Sequence, residues 1–167
     1  DGTYYTATQA KYAPIVDVLA SVKNEQVENL LLTEVKDDIK SVYGALQTTA
    51  NNQTITIVDD TVLSNAGING GNFATVGATS TLAALNVTNG DLTLDSTKAA
   101  GAAGAIDLAA GSSLNLEGTN AITVNEITGS GWIHAETDTT VKAGVKGASL
   151  DVHANVVVNG DVDLTSG

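Results

Sequence analysis

The run Asn86-Val-Thr-Asn-Gly-Asp-Leu-Thr-Leu94 restricts the fold of this chain more than any other stretch. Apolar and polar residues alternate on either side of an Asn-Gly pair. Successive side chains of an extended backbone leave opposite faces, so Val87, Leu92 and Leu94 can be buried while Thr88, Asp91, Thr93 and Asp95 meet water. Asn89-Gly90 readily takes the positive φ of a tight turn. The same pattern returns as Val156-Val-Val-Asn-Gly-Asp-Val-Asp-Leu164, and the Leu92/Leu94 pair recurs as Leu114/Leu116 after 22 residues. Further short runs of this kind follow one another from Gln53 onward, at intervals of about ten residues, each ended by Gly, Asn or Ser.

Strands at that interval suit either a stacked solenoid or an antiparallel sandwich. A solenoid with turns of roughly 20 residues needs inward Val, Ile, Leu and Ala, and has little room for aromatics. The chain has one Phe, one Trp and four Tyr among 167 residues, which favours the solenoid together with the 22-residue echo. A sandwich would use Asn89-Gly90 and Asn159-Gly160 to close hairpins. The expectation is a mainly β chain of β-solenoid type, with the antiparallel β-sandwich as the alternative. The small-residue stretch 99–105 reads as a flexible loop.

The period changes before Gln53. Pro14 suits a first helical turn, and Ile15, Val18, Leu19 and Val22 recur at helical spacing. Leu32, Val35, Ile39, Val42 and Leu46 then alternate steps of three and four, a seam for a coiled-coil partner or a β surface. Residues 8–46 are thus expected to be an N-terminal α-helical segment, broken near Asn24 or continuous. The expected division is 1–52, an arm and amphipathic helix for oligomerisation or docking, and 53–167, a β-rich structural domain. Tyr4, Tyr5 and Tyr12 give the arm contact area for a neighbour or for the chain's own helix.

Charge narrows the partners. Lys supplies all seven positive charges against 19 acidic residues, for a net charge of −12. Nucleic acid and anionic membrane both need clustered cations, so neither is expected. No apolar run nears the roughly 20 residues of a bilayer span. A start at Asp1 and richness in Thr, Asn, Gly, Ala and Asp fit a processed, secreted or cell-surface protein, while the absence of Cys excludes disulfides and carries no compartment signal.

Three segments, Gly-Asp-Leu-Thr-Leu (90–94), Ala-Ile-Asp-Leu-Ala-Ala-Gly-Ser-Ser-Leu-Asn-Leu-Glu-Gly (105–118) and Ile-Thr-Gly-Ser-Gly (127–131), resemble rungs of autotransporter and filamentous-haemagglutinin passenger domains. The likeness covers roughly residues 85–165. It implies a secreted bacterial β-helix acting as an adhesin or fibre. The expected N-terminal helix departs from that family, which normally begins with a β cap. Phage fibre proteins carry similar Asn-Gly-Asp-Leu-Thr repeats after a helix.

No nucleophile–base pair or Gly-x-Ser-x-Gly elbow stands out, so an enzyme is not expected. The glycine-rich stretch 67–77 lacks the lysine of a phosphate-binding loop and reads as turns. His134 and His153 have no second ligand at helical metal spacing and are expected at the surface or on strand edges. Calcium is the one ligand with support, no cofactor being required. Asp59, Asp60, Asp91, Asp95, Asp161 and Asp163 sit beside Gly or Asn turns, where carbonyls can join them as hard oxygen ligands. Asn52-Gln-Thr54 and Asn86-Val-Thr88 are glycosylation acceptor sequences.

The leading functional expectation is a non-enzymatic subunit of an extracellular filament, surface layer or adhesive fibre whose partners are copies of itself. The alternative is a phage or virion trimeric attachment fibre built on the helical seam. The third is a carbohydrate-binding module with a cell-surface glycan as target. Trp132, flanked by Gly129, Gly131 and Glu136, is its one candidate, and on the sequence alone no glycan binding is expected there.

Overall fold

The computed structural model describes residues 29–31, 41–43, 46–48, 54–64, 70–76 and 81–165. Strands β1 (Asn29–Leu31), β2 (Ser41–Tyr43) and β3 (Leu46–Thr48) precede β4 (Thr54–Ile57), β5 (Thr61–Ser64), β6 (Ala74–Val76) and β7 (Thr81–Leu82). Then come β8 (Ala84–Val87), β9 (Asp91–Asp95), β10 (Gly101–Leu108), β11 (Ser113–Glu117), β12 (Ile122–Gly129) and β13 (Trp132–Ala135). The series closes with β14 (Thr139–Lys146), β15 (Ser149–Val152), β16 (Val156–Val158) and β17 (Asp161–Asp163).

One sheet runs β1-β4-β8-β10-β12-β14-β16, with β17 also on β14, and a second runs β15-β13-β11-β9-β5-β2. Every pairing within these two sheets is parallel. From β8 to β15 the chain switches sheets at each strand, so each coil lies on the one before and the fold is a β-solenoid. The antiparallel sandwich is thereby corrected. Asn89-Gly90 closes no hairpin: it carries the chain from β8 in one sheet to β9 in the other. Its chemistry serves stacking instead. The Asn89 side chain donates to the Val58 carbonyl of the coil below at 3.2 Å, and Gly90, at φ 75°, packs where a Cβ would meet the backbone of Asp59 and Asp60. Asn159-Gly160 likewise joins β16 to β17, both of which pair with β14.

The core is a set of stacked aliphatic columns. Ile55, Leu85, Ile106, Ile127 and Val145 occupy successive registers of the first sheet, all buried. Leu92, Leu114 and Ile133 do the same in the second, as do Leu63, Leu94, Leu116 and Ala135. The Leu92/Leu94 and Leu114/Leu116 echo is therefore the register of two neighbouring rungs. Along the first column the step is 30 residues to Leu85, 21 to Ile106, 21 to Ile127, 18 to Val145 and 17 to Val162. The long first step contains β6 and β7, which form a separate small sheet with β3. That insertion seats Phe73 in the core, tied by its N–H to the Ala102 carbonyl at 2.8 Å.

β10 is a strand where a flexible loop is expected from its composition. Its small residues are there because two backbones approach closely: a Cβ at Gly104 would run into the Ala83 carbonyl. Its first half bridges Asn72 and its second half pairs with β8, and at the other end β14 is shared in the same way between β16 and β17. Each long strand is thus two rung segments joined at a corner.

The helix expected over residues 8–46 does not occur where that stretch is described. β1 pairs with β4 and β2 with β5, so 29–31 and 41–43 are extended and join the two sheets. Val42 and Leu46 of the expected seam lie in β2 and β3. Apolar residues at spacings of three and four serve a strand as well as a helix once neighbouring strands supply the hydrogen bonds. No α-helix occurs among the described residues, and strands on both sides of the expected division at residue 52 share the same sheets. Tyr4, Tyr5, Tyr12, Asn52 and the rest of the expected arm lie outside the described residues.

Candidate functional site

The second sheet turns one side to the core and the other to water. Alternation along β13 buries Ile133 and Ala135 and puts Trp132 and His134 outside, with Glu136 just beyond the strand. On β15, Asp151 stands in register with His134, and His153 follows two residues later. Parallel registry sorts these side chains into columns: Asp91, Ser113, Trp132 and Ser149 in one, Thr93, Asn115, His134 and Asp151 in the next. The two histidines of the chain and its single tryptophan thus meet on one outer face of two adjacent coils.

The contacts there are specific. His134 Nδ1 lies 3.5 Å from Asp151 Oδ2, and His153 Nε2 lies 3.3 Å from Asp151 Oδ1. One carboxylate therefore bridges both imidazoles, while Glu136 Oε1 approaches His153 Nε2 at 3.8 Å. The hydrogen bond from His153, with a further one from His134, holds the Asp151 carboxyl below its ordinary value. The His134 ring lies nearly parallel to the Trp132 indole, 10° between planes and 6.1 Å between centroids. Next along the column, Asn115 donates to Thr93 Oγ1 at 3.3 Å. Trp132 is 45% exposed, and its column neighbours are the small serines 113 and 149. An exposed aromatic plane beside clustered donors and acceptors can hold a ligand that is partly apolar and partly hydroxylated.

Surface placement of the two histidines agrees with their expected setting, yet their convergence on Asp151 was not anticipated. The signal lay in the 17-residue step that sets Trp132 against Ser149 and His134 against Asp151, shorter than the 22-residue step of the earlier rungs.

The six aspartates named for calcium are spread over the solenoid. Asp59 and Asp60 share a corner with Asp91, whose N–H donates to Asp60 Oδ1 at 3.0 Å, while Asp59 Oδ1 accepts from the Asp60 N–H at 2.8 Å. Asp95 sits at the far end of β9, accepting from the Ser64 hydroxyl at 3.1 Å and the Thr97 N–H at 2.8 Å. Asp161 and Asp163 belong to the last coil, in register with Gly144 and Lys146. Among the described residues no three carboxylates, histidines or cysteines come together in a metal-holding group.

On the first sheet, the stacked alanines 84 and 105 leave a shallow recess of about 270 Å³ bordered by Thr54, Asn86, Asp107 and Thr128. Asn86 of the acceptor sequence is half-buried there. Thr128 donates to Asp107 Oδ1 at 2.7 Å, closing the polar rim on itself.

Set against known protein families, curated proteins and solved structures, the chain finds no match.

Proposed function

We propose that this chain is a non-enzymatic structural subunit of an extracellular, self-assembling filament, surface layer or adhesive fibre, and that its partner is a second copy of itself. The observation that carries this reading is the parallel stack itself, in which every coil is laid on another in register. Ile55, Leu85, Ile106, Ile127 and Val145 form one buried column along it, continued in the same register by the exposed Val162.

A parallel stack is polar. Each coil presents N–H and C=O groups and apolar side chains to the next in one repeated geometry. A further solenoid coil is the surface that fits such a coil, and a second copy supplies one. Head-to-tail contacts of this kind do not close and so give fibres.

Electron microscopy and sedimentation velocity of the purified chain, with and without calcium, test the reading. Filaments or concentration-dependent oligomers are expected, and Val162→Asp should abolish them while leaving the β circular dichroism unchanged. Monomers at every concentration, under both conditions, would refute it.

A further inference from the structure

We infer that the outer face formed by Trp132, His134, Glu136, Asp151 and His153 is a binding site for an uncharged carbohydrate chain. This is separate from self-assembly, because the indole and the two imidazoles lie on the outer side of the second sheet and not in the stacked aliphatic columns.

Three observations select this ligand class. The indole is the one large aromatic group on that face among the described residues, and serines 113 and 149 on either side in its column do not overhang it. A sugar ring can therefore lie against it through its C–H face. Hydroxyl groups around such a ring need acceptors and donors at the same level. The carboxylates of Glu136 and Asp151, the imidazoles of His134 and His153 and the Asn115 amide stand on the same side of the sheet within three successive coils.

Charge then separates neutral ligands from the rest. The chain is strongly acidic, at −12, which disfavours polyanions. Asp151 already faces both imidazoles and Glu136 faces one, so both carboxylates are engaged within the face itself.

The strand carrying the indole and His134 is also fixed before any ligand arrives. β13 is paired on both sides, by β11 and β15, so little ordering is required on binding.

The test uses the full chain and the emission of its single tryptophan, which reports on this face alone. Cellohexaose, chitohexaose, maltohexaose and mannohexaose are titrated to about 20 mM, covering the millimolar affinities of weak single sites. At least one should shift or quench the emission saturably. Calorimetry should then show loss of binding in Trp132→Ala, retention in Trp132→Phe, and weakening of about tenfold in Asp151→Asn and in Glu136→Gln. Lys142→Ala, on the other sheet, should bind as the parent does. All four substituted positions are exposed, and circular dichroism verifies the fold. No emission change with any of the four sugars overturns the inference, as does binding that survives Trp132→Ala. A response to oligolysine alone, abolished by salt, overturns it in favour of a cationic partner.

Discussion

Asp95 shows how one residue type takes a role its sequence setting does not reveal. Beside a turn it reads as a cation ligand; in the fold its carboxylate is consumed by its own chain. A hydrogen bond from the Thr97 hydroxyl is the largest influence, and the Thr97 N–H, the Ser64 hydroxyl and the charge of Lys98 act in the same direction, against partial desolvation. The carboxyl is thereby held below the ordinary 3.8. A depressed carboxylate contributes stability that is complete above the unfolded value and is lost as pH falls through the folded one. Asp95 thus supports the fold at neutral pH and withdraws that support only on the acid side of 3.8. Thr97→Val should raise the midpoint of the Asp95 titration followed by carboxyl-detected NMR, and move the acid-unfolding transition to higher pH. An unchanged midpoint would remove the hydroxyl as its cause. His134 and His153 make the complementary case. Their exposure was legible because nothing nearby could ligate a metal with them, but their shared partner Asp151 is 17 residues from His134 and adjacent only through β-register.

Among the elements, those with strict alternation were legible and those without it were not. β9 and β11 could be read directly, since Leu92, Leu94, Leu114 and Leu116 alternate with polar residues and repeat at a fixed step. The first half of β10 was not, because Gly101, Ala103 and Gly104 are buried without being large, and hydropathy does not distinguish a close backbone approach from a loop, whereas 105–108 alternates as a strand does. In β1 and β2 the three-four spacing pointed to a helix, and long-range pairing with β4 and β5 is something no local period encodes. The columns also make a prediction about strength. Leu114 is fully buried between Leu92 and Ile133, and its truncation leaves a cavity that two rungs on a rigid stack cannot close. Leu114→Ala should cost about 2–5 kcal/mol in urea unfolding. Since each coil contacts chiefly its neighbours, hydrogen exchange should quicken first in β9, β11 and β13. Equal quickening in β17 would show that the solenoid opens as a single unit.

At the scale of the whole molecule, two features act against each other around Val162. Apolar Val162 and Leu164 favour contact with another coil, while Asp161 and Asp163 flank Val162 on a chain of net charge −12. Like charges brought together between copies repel over the Debye length, which shrinks from about 30 Å at 0.01 M salt to about 8 Å at 0.15 M. Apolar contact is not screened in this way. Self-association should therefore be weak at low ionic strength and grow as salt is added, the reverse of an assembly held by ion pairs. Replacing both acids (Asp161→Asn with Asp163→Asn) should give at 0.01 M the association that the parent reaches only at about 0.15 M. Val162→Asp should suppress association at either salt concentration, because it removes the attraction and adds to the repulsion. Sedimentation velocity across the three chains separates the two terms. Association that weakens with added salt would place the contact on charged surfaces elsewhere, and the exposed Val162 would then not be what joins one copy to the next.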